Sequence, residues 1–509
     1  MNAASRPPAG RGFVFSLRFV SVFAAAHILL VLLQTNFLPL SDDWNVVWLS
    51  LELLLAAGAL GISAVCLAYA RVRGTQSLDS FSALFRDIMT PGTVFLALWV
   101  LWAYISCFLA IREGRASFYH NVRFLFYQTA DMLVLFPLGL YLGRKSRTSL
   151  LKAVYDGALA LFTIQLLWGF LRFFGGEAAF SAFYGRPFDY SILRPIIAVN
   201  SNSVGGYAAF FLVAGIWRFR SAGSRVGRAL LIAAFAVNFA AFVSVESRAA
   251  VLGVTAALGT GAGAAFWRRG QLSPLPRAVC SAVCCAVAAA VFLGVFYGSR
   301  TAVLRVQNRV LGRIYTAAAE KAPEAVEGSG SPDRPGNGST SYIAPAPGVS
   351  GDRERRDLVG GGASTLGGRS KIWRCVIEGA ARDRHILLHG TSMANVGDWV
   401  ETTAFKRNFH THNQLLEVLV AQGLPALVLF LLWLVWLAGK SFSLAFSPSP
   451  GAEWALPLPL LSLITHNMAE MMLVGRTHFV GGFFFLIAGY TAGLVRKKAG
   501  GTADPTPGR

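Results

Sequence analysis

Long apolar runs separated by short polar turns fill most of this chain. A helix crossing a bilayer needs roughly 20 mostly apolar residues, and runs of that kind fall near 13–34, 46–70, 91–111, 120–143, 150–173, 193–216, 229–246, 249–267, 278–298, 414–438, 455–475 and 477–495. The pattern predicts an all-α polytopic membrane protein with about twelve transmembrane helices. The first run follows MNAASRPPAGRG, which has the form of a signal-peptide start. Its apolar core exceeds the roughly 7–15 residues of a cleavable signal, so it reads as an uncleaved anchor.

The polar turns carry an orientation signal. Arg71, Arg73 and Arg86 fall in one set of alternate turns, with Arg144, Lys145, Arg147 and Lys152, then Arg218, Arg220, Arg225 and Arg228, then Arg268, Arg269 and Arg277. Lys440 and Arg496-Lys497-Lys498 join that set, while the other side receives Asp42-Asp43 and scattered basic residues such as Arg112 and Arg115. Basic loops stay in the cytoplasm, so both termini are expected there. The chain then divides into helices 1–9 (residues 1–298), an outer loop (299–413), and helices 10–12 with a cytoplasmic tail (414–509). Within the loop, 320–368 is rich in Gly, Ser, Pro and charge, a composition that cannot bury enough apolar surface to fold. After it, RSKIWRCVIEGAARD places Ile372, Cys375, Val376 and Gly379 at helical spacing. This predicts a short amphipathic helix on the membrane surface.

That topology gathers several polar clusters on the outer face: Arg194, Asn200 and Asn202 in RPIIAVNSNSVGG; Glu246-Ser247-Arg248; Arg369 ahead of Trp373; His410-Thr411-His412-Asn413 leading into span ten; and His466, Glu470 and Arg476 in span eleven. Each has a plainer account. Arginines at helix ends snorkel, intramembrane asparagines hydrogen-bond between helices, Thr411 and Asn413 can cap a helix, and His466 with Glu470 form an i, i+4 pair. Alternate residues of an extended His-Thr-His point the same way, but further ligands at clear spacing are missing, so no metal site is assigned there.

Composition sharpens the picture. Only 14% of residues are charged and mean hydropathy is +0.51, against about a quarter charged in soluble chains. The formal charge is +20, and only eight of the 46 basic residues are lysine. Positive-inside anchoring absorbs many of the arginines. The rest suit phosphate, which guanidinium binds bidentately. Basic residues scattered through membrane loops make no nucleic-acid patch. The six cysteines show neither zinc nor disulfide spacing.

Several arginines and a histidine on one membrane face fit transfer of a group from a lipid diphosphate. Guanidinium groups neutralise the departing diphosphate, and a neutral histidine accepts the proton of an attacking hydroxyl. Such a site needs no metal or other cofactor.

The ordered series RPIIAVNSNSVGG, SVESRAAVLG, GRSKIW and HTHNQLLEVLVAQGLPALVLFL, over residues of about 193–475, resembles the O-antigen ligase and polymerase superfamily of bacterial envelope enzymes. The last segment is the strongest match, and Ser-Arg-Ala-Ala departs from the commoner Ser-Arg-Gly while keeping the arginine. The resemblance implies a GT-C-like membrane glycosyltransferase of the bacterial inner membrane, with its active site facing the periplasm. It implies an undecaprenyl-diphosphate-linked glycan as donor and a sugar hydroxyl of lipid A–core as acceptor, without a metal. By position, His412 matches the essential histidine and Arg248 the Ser-Arg arginine; Arg369 and then Arg194 follow as further diphosphate ligands. His410, Asn413, Glu246 and Asn202 are expected to support them. A polymerase would share donor, histidine and arginines but extend a second lipid-linked glycan. The long loop before span ten favours the ligase. A transporter of lipid-linked oligosaccharide would show paired repeats with broken helices, and no such internal symmetry is visible.

Overall fold

Where the structure describes them, most of the apolar runs fold as helices. The computed structural model describes residues 11–36, isolated positions between 50 and 65, and 85–175, 201–245, 247–270, 272–320, 364–403, 410–447, 451–474 and 479–500. In chain order the helices are α1 (Arg11–Asn36), α2 (Pro91–Arg112), α3 (Phe118–Thr129), α4 (Phe136–Arg144), α5 (Ser149–Gly175), α6 (Ser201–Arg220), α7 (Arg225–Val245), α8 (Arg248–Trp267), α9 (Pro274–Glu320), α10 (Ser364–Arg382), α11 (Arg384–Leu388), α12 (Val396–Thr403), α13 (Gln414–Phe446), α14 (Pro457–Asn467) and α15 (Phe479–Gly500). A π-turn over Ala130–Leu135 joins α3 to α4.

Seven helical stretches among the described residues are long and apolar enough to cross a membrane: α2, Phe118–Arg144, Ser149–Leu171, α7, α8, Pro274–Val303 and α13. Together they make a multi-pass membrane protein. The outer surface is apolar, as lipid contact requires. Val279, Val283, Val287, Val291 and Val295 form an exposed i, i+4 row along α9. The opposite side of α9 meets α8, where Gly259 and Gly263 lie against the Cys285 and Ser281 carbonyls.

Two expectations change. The run at 455–475 is not a full span: α14 ends at Asn467, and 468–474 turns back without helix. The first residues of the expected outer loop are helical, because α9 continues to Glu320. The run at 46–70, Arg194, Asn200, Glu246, Arg476 and residues 321–363 lie outside the described residues, so most of the Gly/Ser/Pro stretch does too; its last residues, 364–368, begin α10. The apolar face of α10 is also differently used. Val376 and Ala380 are buried, and Gly379 lies against Trp399 and Thr403 of α12. That face packs on its own loop.

Ion pairs divide between the two ends of the helical layer. At one end Arg144 pairs with Asp87, Arg218 grips Asp156 through Nε and Nη2 at 2.8 and 2.7 Å, and Arg268 stacks over Trp454 at 3.8 Å. All belong to turns that the charge pattern assigns to one side. In the other set, Arg115 after α2 meets Asp383 before α11 at 3.3 Å.

Helix α13 is broken one third of the way along. Gly423 has φ +79° and ψ −179°, Pro425 follows, and a side chain at Gly423 would collide with the backbone of Leu388 and His389. The break releases carbonyls that α-helix geometry would have used. The segment after α11 takes them: Thr391 N–H and Ser392 N–H donate to the Val420 and Ala421 carbonyls, each at 2.8 Å. Trp102 Nε1–H donates to the Gln422 carbonyl at 2.7 Å. The loop is thereby inserted into the helix that leads from His412.

The tightest helix contact is α4 against α15. Gly139 and Gly143 face the Leu486 and Tyr490 carbonyls, while Gly489 and Gly493 face those of Phe136 and Leu140. Reciprocal Gly-x-x-x-Gly pairs let two backbones touch, the device by which helices associate where lipid offers no hydrophobic driving force. Gly489→Leu should destabilise the protein by about 3 kcal/mol or more, whereas Val435→Leu on the lipid-facing side of α13 should change stability by less than about 0.5 kcal/mol. Thermal unfolding in nanodiscs measures both, and a Gly489→Leu midpoint equal to that of Val435→Leu contradicts the packing argument.

Candidate active site

The tetrapeptide His410–Asn413 is held by side chains of α13 and by the turn after α14. Asn413 has extended backbone and its Oδ1 accepts from the Leu415 and Leu416 N–H groups at 2.9 and 3.2 Å, so it is the N-cap of α13. Its Nδ2 also donates to the Met468 carbonyl at 2.9 Å. Gln414 continues the clamp: its Oε1 accepts from Leu473 and Val474 N–H at 3.2 and 3.3 Å, and its Nε2 donates back to the Val474 carbonyl at 3.0 Å. Two neighbouring amides thus hold both ends of the arc 468–474, and Glu470 stands between them. Thr411 is not a cap. Its hydroxyl donates to Glu417 Oε2 at 2.7 Å, and its carbonyl accepts from Trp373 Nε1–H of α10 at 2.9 Å.

His412 has φ +50°, a left-handed conformation costing an ordinary residue about 1 kcal/mol or more. The turn swings its ring away from that of His410. His410 Nδ1 lies 3.7 Å from Glu417 Oε1, while His412 Nδ1 lies 3.2 Å from Glu470 Oε2. The two histidines therefore serve different carboxylates. Arg369 of α10 donates through Nη2 to Glu470 Oε1 at 2.5 Å. One carboxylate, 7% exposed, thus joins the loop arginine to the histidine, and both partners keep about a quarter of their side chains accessible.

Glu470 is not held by the i, i+4 pairing with His466 that was its plainer account. Because α14 stops at Asn467, that register is lost and the carboxylate turns to Arg369 and His412 instead. His466 stays buried beside the Ala249 backbone. Its Nε2 comes within 2.9 Å of where a Gly206 side chain would begin.

The other expected residues are placed unequally. Arg248 opens α8 behind the N-cap Ser247, whose Oγ accepts from Ala250 N–H at 3.4 Å, and its side chain is exposed. Its neighbours reach the cluster: Gly205 of α6 packs on Ser247, Ala249 lies by His466, and His466 precedes Glu470 by four residues. Asn202 is half-buried in the first turn of α6. Arg369, His410, His412 and Asn413 are brought together with Glu470 and Glu417. Arg194 and Glu246 are outside the described residues. Two glutamates completing the cluster were not among the expected site residues. Glu417, on the first turn of α13 and 2% exposed, carries the signal that would have found it, a lone carboxylate in an apolar run.

With Nδ1–H directed at a carboxylate, His412 presents Nε2 as a proton acceptor. A base oriented by a carboxylate that also holds the guanidinium of Arg369 is equipped for attack by a hydroxyl on a phosphate-activated centre.

Comparison with curated proteins gives no match to this chain. The family model described as O-antigen ligase matches residues 233–431, a segment that holds Arg248, Arg369, His412, the break in α13 and the loop segment inserted in it. Over that segment the chain is similar to the O-antigen ligase family.

Proposed function

We propose that this protein transfers a glycan from undecaprenyl diphosphate to a sugar hydroxyl of lipid A–core at the periplasmic face of the bacterial inner membrane. The observation that carries the proposal is the contact of His412 Nδ1 with Glu470 Oε2 at 3.2 Å, on a carboxylate also held by Arg369. The acceptor hydroxyl gives its proton to His412 Nε2 as its oxygen bonds to the anomeric carbon of the donor. The bond from that carbon to the diphosphate oxygen breaks, and undecaprenyl diphosphate leaves with the electron pair. Arg248 is assigned to the charge growing on that leaving group, with Arg194 as a further contact. Arg369 contributes the guanidinium donors not engaged by Glu470. His410, Asn413, Glu246 and Asn202 are positioning residues. Charge neutralisation is given to arginines and no step to a metal.

The reading separates chemistry from folding at His412. His412→Asn keeps a residue that tolerates positive φ and removes the base. Transfer should fall about 10²–10⁴-fold while the thermal midpoint and donor binding stay at wild-type values. Near-wild-type turnover by purified His412→Asn would remove the base assignment.

Glu470→Gln preserves shape but no longer compels Nδ1 to carry the proton. Loss of that tautomer control should lower kcat by about two to four orders of magnitude, with little change in KM for the donor. A variant impaired in KM alone would show that Glu470 serves donor binding.

Arg248→Lys retains charge and loses the fork, so we expect at least about a tenfold loss in kcat/KM. Unchanged kinetics would mean that simple charge suffices. All three use purified protein with defined undecaprenyl-diphosphate glycan, offered core lipid and a lipid-linked repeat together. Extension of the repeat in place of core lipid would make the enzyme a polymerase with the same site.

A further inference from the structure

A second group of histidines lies outside the proposed transfer site. Glu113 caps the C-terminus of α2, its N–H bonded to the Leu109 carbonyl at 3.0 Å, so its backbone is fixed. His385 and His389 stand one turn apart on α11 and its C-cap. Asp383, whose Oδ1 accepts from His385 N–H at 3.0 Å, starts that turn. The spacing puts both rings on one side, with centroids 5.6 Å apart. His385 Nδ1 and His389 Nε2 approach the same oxygen, Glu113 Oε1, at 3.0 and 3.1 Å. The three donor atoms lie within 4.8 Å of one another. In a tetrahedral zinc site the ligand atoms are about 3.3–3.5 Å apart, given metal–ligand bonds near 2.0–2.1 Å.

The tautomer of His389 makes this convergence informative. Its Nδ1 lies 3.2 Å from the Gly390 carbonyl, which only an N–H can satisfy. With Nδ1 on that carbonyl, Nε2 is the ring atom turned to the carboxylate oxygen. A cation between them converts both into ligands. An imidazole that gives its far N–H to a backbone carbonyl is also the usual arrangement of a metal-ligating histidine. The surroundings suit a dication: Glu113 and Asp383 are offset by one guanidinium, Arg115, at 3.4 and 3.3 Å. His389 is buried while His385 is half-exposed, so an ion could enter from water.

We propose that Glu113, His385 and His389 form a site for a zinc-type divalent cation that clamps the loop to the end of α2. Two imidazoles and one carboxylate favour Zn²⁺ or Co²⁺ over Mg²⁺ or Ca²⁺, which prefer all-oxygen shells. The clamp is structural. The His389 carbonyl accepts from Ser106 Oγ of α2, Gly390 (φ +74°) lies against the Ala421 and Gln422 backbone, and Thr391 and Ser392 fill the break in α13. Holding 385–389 on α2 thereby holds the segment that completes the broken helix. The site does not depend on the transfer reaction proposed above.

The test uses the full chain without an affinity tag, purified with chelator, dialysed, and titrated with Zn²⁺ and Co²⁺. Wild type should bind one ion per chain, give the visible absorption of four-coordinate Co²⁺, and gain about 2–5 °C in thermal midpoint at saturating Zn²⁺. Mg²⁺ and Ca²⁺ should do neither. His385→Asn and Glu113→Gln should each weaken Zn²⁺ binding at least about tenfold and lose the midpoint gain, while a His410→Ala/His412→Ala protein binds as wild type. Two independent variants guard against one that fails to fold. Absence of stoichiometric binding in wild type would overturn the proposal. So would equal binding by His385→Asn and Glu113→Gln, or a site lost with His410 and His412. A wild-type midpoint that shifts with pH and ignores zinc would mean that a shared proton bridges the three groups, and no metal site exists.

Discussion

Backbone that leaves the helix inside an apolar bundle must still find hydrogen-bond partners, and there is little water there to supply them. Two such departures among the described residues frame the candidate site, which is built from the groups that satisfy them. The arc 468–474 is held by the side-chain amides of Asn413 and Gln414. The break at Gly423 is filled by the backbone of Thr391 and Ser392. Asn413 serves twice, capping α13 and binding the Met468 carbonyl, which fixes the start of one helix relative to the end of another. Glu470 sits on that arc, and His412 immediately precedes that cap. Their 3.2 Å contact follows from the amide clamp, which ties together residues 58 positions apart.

The same economy separates the two histidines. Glu417 is buried and takes the Thr411 hydroxyl, so the segment is anchored at Thr411 and its flanking residues diverge. Left-handed backbone at His412 completes the divergence. His410 stays near the Glu417 carboxylate and His412 reaches that of Glu470. A strained φ at an accessible, carboxylate-oriented histidine is the kind of local cost that persists when neighbouring contacts over-determine the conformation. The hydrogen bonds of Thr411 and Asn413 on either side supply that determination.

Much of this architecture is legible in the sequence, in proportion to how local it is. Hydropathy finds α2, α5, α7 and α8 within a few residues and the start of α13, because each is a continuous apolar stretch. It fails at 455–475, where averaging over a span-length window hides a turn made of Met, Ala, Glu and Leu. The plainer account of Glu470, pairing with His466 by helical spacing, holds only where the helix continues. Asn413 was legible as a cap from the motif itself, and His412 as distinct from His410 from the family resemblance. What sequence could not give is the partner across the fold. Glu113 and His385 are 272 residues apart, Trp373 meets the Thr411 carbonyl across a loop, and the face of α10 that looked suited to a membrane surface is spent on α12. The reciprocal glycines of α4 and α15 were present as Gly139-x-x-x-Gly143 and Gly489-x-x-x-Gly493. Only the three-dimensional pairing shows that each faces the other.

Arg369 occupies a position that links two parts of the proposed chemistry. As a diphosphate ligand alone, it would be expected to point all its donors toward the substrate. Instead one N–H is committed to Glu470, the carboxylate that also faces His412. A guanidinium has five N–H donors in a plane, so the rest of the fork remains available to a phosphate oxygen. On the proposed reading, an arriving diphosphate draws on the same cation that neutralises Glu470. The carboxylate is then left less compensated, and its attraction for the His412 Nδ1 proton strengthens. Imidazolium forming at His412 is stabilised by that attraction at the moment the leaving group loads Arg369 with negative charge. A loop arginine tied to the carboxylate behind the base therefore couples departure of the diphosphate to acceptance of the proton. Two separately held groups would lack that coupling.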